Sequence, residues 1–302
     1  MTASLRTVAD FIGWTEQRFA GAGLCFGHGT DNPLDEAAWL VGSALKLTPY
    51  ELEEHLEDEP TPPQQDTIRA LVDSRIRTRQ PLAYLLKEAW FAGLKFYVDE
   101  RVIVPRSLTA EFIAEQFQPW IDPARVRRIL DLCTGSACMA IACTYAFPEA
   151  SVDAVDISDA ALAVARINVE NHGFSGRVRL FRSDLFSALK DERYDLIVTN
   201  PPYVTQVEMA ALPPEYRHEP KLALASGAQG LDAVIRILAE APSHLNPGGI
   251  LVAEVGNSAE RLQEKFPAVP FTWLTTSAGD ECVFLLTAEQ LRQYHATFTS
   301  AH

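Results

Sequence analysis

The chain has 302 residues, 47% of them hydrophobic, which is enough for one large or two smaller packed units and too apolar for wholesale disorder. A net charge of −14 disfavours nonspecific attraction to nucleic-acid phosphates and favours a basic protein partner. No apolar stretch reaches the length of a membrane span, and the opening MTASLRTVADFIGW lacks the apolar region of a signal peptide, so a cytoplasmic protein is expected.

In chain order, Leu5, Val8, Phe11, Ile12 and Phe19 recur at helical spacing until a run of glycines from Gly21 to Gly29 breaks the pattern. Asn32-Pro33 reads as a helix start, with apolar Leu34, Ala37, Ala38, Leu40 and Val41 beyond it. The acidic ELEEHLEDEP (Glu51 to Pro60) reads either as a solvated helix face or as a dock for a basic partner. Thr61-Pro62-Pro63 ends this piece, and Ile68, Leu71, Val72 and Ile76 form a further helical stripe up to Pro81. From Trp90 to Val104 the chain is aromatic and β-branched and predicts a β-hairpin turning at Asp99-Glu100. The expected organisation is a small helical recognition domain over 1–88, a hairpin linker over 89–106 and a larger domain over 107–302.

From about Arg125 strands and helices alternate. RRILDL, SVDAVD, RVRLFR, YDLIVT, Gly249 to Val255, PFTWLTT and ECVFLLT read as strands. Helices are expected over Ala137 to Phe147, Asp159 to His172 and Leu231 to Leu245. This alternation predicts an α/β fold whose mostly parallel sheet is covered on both faces, closed by a hairpin with one antiparallel strand.

Chemistry is expected at the strand ends, where open parallel sheets bind ligands. Asp131-Leu132-Cys133-Thr134-Gly135-Ser136-Ala137 forms a small-residue turn that lets a ligand reach the N–H groups opening a helix. Asp156, followed by Ile157, ends the second strand at the separation where an acid meets ribose hydroxyls; it also suits a helix cap. Ser183-Asp184-Leu185-Phe186 follows the third strand and is placed to meet an adenine edge. Asn200-Pro201-Pro202-Tyr203 follows the fourth. Two prolines cannot continue a central strand, so Tyr203 is set on a rigid loop. An amide, a fixed carbonyl and an aromatic face make a clamp for a planar amide or amino group, suited to methylating a conjugated nitrogen. The five cysteines (Cys25, Cys133, Cys138, Cys143, Cys282) form no even framework and no ligand stack on one helix face, so reduced thiols and no metal are expected.

Taken together, these motifs resemble those of class I S-adenosylmethionine-dependent methyltransferases, and NPPY after strand four resembles the N5-glutamine methyltransferases within them. FAGLKFYVDERVIVPRS, DLCTGSA, AVDIS, RSDLF, VTNPPYV, YRHEP and EVGNS fall in that family's order over most of the chain. FGHGTDN (Phe26 to Asn32), and Cys133 in place of a first glycine, look like the branch that methylates ribosomal protein L3. The resemblance implies a Rossmann-like seven-stranded sheet and S-adenosyl-L-methionine as cofactor, held by Asp131, Cys133, Thr134, Gly135, Ser136, Ala137, Asp156, Ile157, Asp184, Leu185 and Asn200. It implies that the Asn200 oxygen and the Pro201 carbonyl accept the two amide hydrogens, that Pro202 stiffens the loop and that Tyr203 packs on the amide plane. It further implies ribosomal protein L3 as substrate, with no membrane and no direct nucleic-acid contact.

Two departures stand out. Ala137 replaces a usual glycine, so its methyl either crowds the cofactor or is absorbed at the helix start, weakening binding at most. Leu108-Thr109 follows Pro105-Arg106-Ser107 where another pair is usual, which affects local packing. His28 reads as a loop histidine or a substrate contact, and Arg217, His218 and Glu219 as a pocket mouth or a surface network. Glu254 reads as a residue behind the site or a buried carboxylate with a partner. The alternatives left open are a release-factor glutamine, an adenine-N6 target in nucleic acid, and a cofactor-binding assembly factor without turnover.

Overall fold

The computed structural model describes residues 5–301. Its N-terminal part holds five helices: α1 (Val8–Gly21), α2 (Pro33–Leu45), α3 (Pro49–Leu52), α4 (Pro62–Thr78) and α5 (Leu82–Leu86). A capping box between Thr7 and Asp10 starts α1, which turns Phe11, Ile12 and Phe19 onto Leu40, Val41, Ile68 and Val72. Asn32 caps α2, accepting from the Asp35 N–H, with Pro33 at the first helical position. Thr61-Pro62-Pro63 does more than end a segment: Thr61 caps α4 and Pro62 opens it. The acidic side chains of Glu51 to Glu59 are largely solvated, while Leu52 turns inward.

A two-stranded hairpin follows, β1 (Ala89–Phe91) and β2 (Leu94–Phe96). Its turn lies at Ala92-Gly93, not at the expected Asp99-Glu100. Both turn residues have positive φ (50° and 73°), which suits a tight hairpin turn. Asp99 is occupied otherwise, accepting from the Tyr97 hydroxyl and from the backbone and guanidinium of Arg101.

The larger part contains α6 (Thr109–Ala114), β3 (Arg128–Leu132), α7 (Cys138–Ala146), β4 (Ser151–Asp156), α8 (Asp159–Asn171), β5 (Val178–Arg182) and β6 (Tyr194–Thr199). It continues with α9 (Gln206–Ala211), α10 (Asp232–His244), β7 (Leu245–Glu254), α11 (Ala259–Lys265), β8 (Thr272–Leu274), β9 (Val283–Thr287), α12 (Ala288–Gln293) and α13 (His295–Thr299). The sheet runs β5-β4-β3-β6-β7-β9-β8, with β3 to β7 parallel and β9 antiparallel to both neighbours. The strands are apolar on both faces because both are covered. Ile129, Val152, Val198 and Val252 pack on one side, and Leu130, Ile197 and Leu251 on the other. Strand order reverses at β3, so the carboxyl ends of β3 and β6 flank the crevice where such sheets take ligands. Among the described residues no helix is long and apolar enough to cross a membrane.

Candidate active site

Two adjoining cavities open over that crevice. The larger, about 370 Å³, is lined on its sheet side by Cys133, Gly135, Asp156, Ile157, Asp184, Leu185, Asn200 and Pro202. The smaller, about 190 Å³, is lined by Pro201, Tyr203, Arg106 and Tyr216 among others. Asn200, Ile103 and Ala223 line both. The tetrapeptide after β6 therefore splits: Pro202 faces the larger cavity, Pro201 and Tyr203 the smaller, and Asn200 their common wall.

The turn after β3 is held from behind. Asp131 is wholly buried, and its Oδ2 accepts from the Thr134 hydroxyl (2.5 Å) and the Ala140 N–H (3.0 Å). Burial pushes this carboxyl up to about 7. Asp131, Thr134, Ser136 and Ala137 do not line the larger cavity; only Cys133 and Gly135 of the turn do. Burial also raises the Cys133 thiol, with the Asp156 carboxylate adding to the shift, so the cavity sees a neutral sulfur.

Ala137 resolves its own ambiguity. Its φ of 64° is a glycine-like conformation, and its methyl is buried in the core on the α7 side. A left-handed alanine costs roughly 1–2 kcal/mol. Losing the methyl and gaining glycine freedom in the unfolded chain costs about as much. Ala137→Gly is therefore expected to change unfolding free energy by less than about 1 kcal/mol, read from denaturant midpoints. A gain or loss well beyond that would show that the methyl sits elsewhere.

Asp156 closes β4 with both oxygens engaged. Oδ2 accepts from the Gly135 N–H (3.0 Å) and Oδ1 from the Ser158 N–H (2.9 Å). Burial raises its pKa against these bonds. Asp156 lines the cavity but is not the helix cap: Ser158 caps α8, its hydroxyl accepting from the Ala161 N–H, and Asp156 steadies that cap by taking the Ser158 N–H. Asp184 lines the cavity while pairing with Arg236 of α10 at 2.9 Å. The Ser183 hydroxyl instead bonds the Leu185 carbonyl (2.5 Å) and takes the Ala188 N–H (3.0 Å), shaping the loop. Phe186 turns away and stacks on His244, ring centroids 4.5 Å apart.

The tetrapeptide is pinned at its flanks. The Thr199 hydroxyl donates to the Leu132 carbonyl (2.9 Å), and Ser258 Oγ donates to the Tyr203 carbonyl (3.0 Å). The Tyr203 hydroxyl lies 3.4 Å from Glu254 Oε1. Glu254 Oε2 in turn accepts from Ser107 Oγ (2.6 Å) and the Leu108 N–H (3.0 Å). Glu254 is thus a buried carboxylate with partners and also the residue behind Tyr203; burial raises its pKa. Gly256 carries the face of Tyr203: a methyl built there would overlap ring atom Cε2 and lie 2.7 Å from Cζ. Gly256→Ala is expected to displace the ring and cost about 1–3 kcal/mol of stability, measured by chemical denaturation. An unchanged midpoint would show that the ring has room to yield.

The N-terminal helices reach this site through buried charge. Glu215 Oε1 accepts from the Cys25 N–H (3.0 Å) and pairs with Arg79 (2.8 Å), while Arg75 pairs with Glu36 (2.7 Å) and lies 3.8 Å from Glu215. Glu219 accepts the Val104 N–H (2.9 Å) and both Nη atoms of Arg106 (2.6 and 2.8 Å). Burial would raise its pKa, but Arg106 and then His28 override this and hold it at about 2. His28 is buried against Tyr216, ring centroids 4.3 Å apart, with Nε2 3.6 Å from Glu219. Arg217 is exposed, and His218 meets the Thr78 carbonyl (3.2 Å). Of the YRHEP residues, Tyr216 and Pro220 touch a cavity directly.

Sequence reasoning missed the roof. Arg101, Val102 and Ile103 line the larger cavity, as do Leu222, Ala223, Ala225 and Ser226 and, from α10, Asp232 and Arg236. The roof is held by backbone bonds between Val204 and Leu224 and between Ser226 and Val204. Arg101-Val102-Ile103 lies in the segment expected to form the hairpin, and Asp232 and Arg236 lie in the helix expected over Leu231 to Leu245; neither segment carried a signal for a cavity.

The sequence profile of the methyltransferase small domain family matches residues 109–212, and that of the PrmC N-terminal domain matches residues 11–86. A Burkholderia pseudomallei protein named ribosomal protein uL3 glutamine methyltransferase is 47% identical over 294 residues, covering 95% of this chain and 96% of that protein. A protein of the same name from Bradyrhizobium diazoefficiens is 49% identical, covering 95% and 92%, and one from Neisseria meningitidis serogroup B is 48% identical, covering 95% of each. Among solved structures, the hMettl16 catalytic domain in complex with a MAT2A 3'UTR hairpin matches with a TM-score of 0.51 at 18% identity, over 72% of this chain and 81% of that one, a likeness of fold.

Proposed function

This chain belongs to the family of ribosomal protein uL3 glutamine methyltransferases, and we propose that it methylates the side-chain nitrogen of a glutamine in ribosomal protein uL3, using Asn200, Pro201 and Tyr203 as the acceptor clamp. The methyl donor is S-adenosyl-L-methionine. The larger cavity suits it. A volume of about 370 Å³ takes a nucleoside with its side chain, Asp156 offers lone pairs to vicinal hydroxyls, and Val155, Ile157 and Leu185 give apolar walls to a flat base. When bound, it supplies a methyl group on a positively charged sulfur.

The chain's own residues prepare the nucleophile. A carboxamide nitrogen is weak because its lone pair is delocalised into the carbonyl. The Asn200 side-chain oxygen and the Pro201 carbonyl accept its two hydrogens, turn the nitrogen toward the larger cavity and stabilise the positive charge that develops on it. Tyr203 holds the amide plane, and Pro202 keeps the loop in place before the substrate arrives. The nitrogen becomes acidic once methylated, so its proton passes to water and no strong base is needed. The observation that carries this reading is Asn200 in the wall common to both cavities.

An acidic enzyme and a basic substrate are expected to meet in the cytoplasm before uL3 joins its RNA, with no nucleic acid in the contact. Purified uL3 and labelled S-adenosyl-L-methionine test this. One methyl group on a glutamine, found by mass spectrometry and insensitive to nuclease, is the expected result. Transfer to a release factor but not to uL3 would overturn it.

A further inference from the structure

The smaller cavity must tell a glutamine from a glutamate, and shape cannot do so, because carboxamide and carboxylate are nearly isosteric. Charge can. Among the described residues Arg106 is the only charged side chain lining that cavity. An Arg fork is a strong bidentate partner for a carboxylate. Here the Nη1–Nη2 edge of the fork is already filled: Glu219, fully buried, takes Nη1 at 2.6 Å and Nη2 at 2.8 Å, while Arg106 remains a quarter exposed. The Val104 carbonyl takes a further Nη1 hydrogen at 3.1 Å, and the guanidinium lies 5.6 Å from the centre of the Tyr216 ring. On its other side Glu219 meets His28 at 3.6 Å, and the Val104 N–H fixes its place at 2.9 Å. Glu219 does not itself line the cavity; from behind Arg106 it holds the Nη1 and Nη2 hydrogens that a carboxylate could otherwise take.

We propose that Glu219 determines specificity in the acceptor cavity by occupying the Arg106 fork and cancelling its charge, so that the cavity admits a neutral carboxamide and rejects a carboxylate. This rests on the smaller cavity being the acceptor site. Glu219 touches no reacting atom; it acts through Arg106.

The test compares N-acetyl-L-glutamine methylamide with N-acetyl-L-glutamate methylamide. Each is titrated by calorimetry into the full-length protein saturated with S-adenosyl-L-homocysteine, and each is also assayed as an inhibitor of methyl transfer to uL3. The wild type is expected to bind the glutamate compound at least about tenfold more weakly than the glutamine compound. Glu219→Gln should bind the glutamate compound on the order of 10- to 100-fold more tightly than the wild type does. The double variant Arg106→Gln with Glu219→Gln has no charge in this pair and should again reject the glutamate compound. A residue with a merely structural role would weaken both compounds and would not produce this gain and its reversal. The proposal falls if Glu219→Gln folds, as judged by its cofactor affinity, and gains nothing. It falls equally if the double variant binds both compounds alike, and this arm decides should the single variant not fold. Wild-type transfer to uL3 with no discrimination between the compounds would overturn only this proposal. Absence of both transfer and binding would overturn the acceptor-site reading itself.

Discussion

Asn200→Ala is expected to lower methyl transfer to uL3 by about 10²–10³-fold while cofactor affinity stays within about threefold. The asymmetry follows from position. Asn200 is one residue among many around the larger cavity, where Asp156 and the turn at Gly135 remain intact. On the side of the smaller cavity its carboxamide directly precedes Pro201 in the chain, whereas the other carboxamide in that lining, Asn257, comes from the segment after β7. Removing it leaves the Pro201 carbonyl to orient the nitrogen alone and leaves one N–H of the acceptor without a partner as charge builds. Labelled transfer under saturating cofactor gives the rate, and calorimetry gives the affinity. Unchanged transfer would remove Asn200 from the chemistry. A parallel collapse of cofactor binding would make it a cofactor residue only.

The largest stability effect is expected at Arg75. Its side chain is fully buried, donating Nε to Glu36 at 2.7 Å and Nη2 to the Cys25 carbonyl at 3.1 Å, with Nη1 3.8 Å from Glu215. Arg75→Met leaves the Glu36 carboxylate buried and unpaired, which costs about 3–5 kcal/mol. Burial already raises the pKa of Glu36 despite Arg75, so losing the cation pushes it further toward the neutral acid. Replacing both, Arg75→Met with Glu36→Leu, should recover most of the loss, because a well-packed apolar pair avoids the desolvation cost altogether. Urea denaturation of the two variants checks this; a single-variant cost under about 1 kcal/mol would show that water reaches the pair. Activity should also fall beyond what unfolding explains. Glu215 belongs to the same network, and Tyr216 beside it lines the smaller cavity.

The two halves of the site were legible to different degrees. SVDAVD and YDLIVT were readable as strands to their last residue, because buried parallel strands are short apolar runs and the sequence marks where they stop. Pro201-Pro202 marked the end of β6 for a local reason, since two prolines cannot remain in a ladder. Local reasoning went wrong at the hairpin: Asp99 looked like a turn residue, but its carboxylate is taken by Arg101, and the turn formed where Ala92-Gly93 accept positive φ. It could not tell that Asp131 and Ala137 would face the core while Cys133 and Gly135 faced the cavity, since that depends on how α7 packs on β3.

The sequence by itself determined the alternation of strands and helices, where the strands end and the rigid tetrapeptide after β6, because each follows from propensity, periodicity or the backbone limits of proline within a few residues. The tertiary structure alone decided which charges meet. Arg106 and Glu219 lie 113 residues apart, and Glu254 reaches back 147 residues to Ser107. A buried ion pair forms only where the whole chain brings two groups together out of water, and no local pattern encodes that meeting.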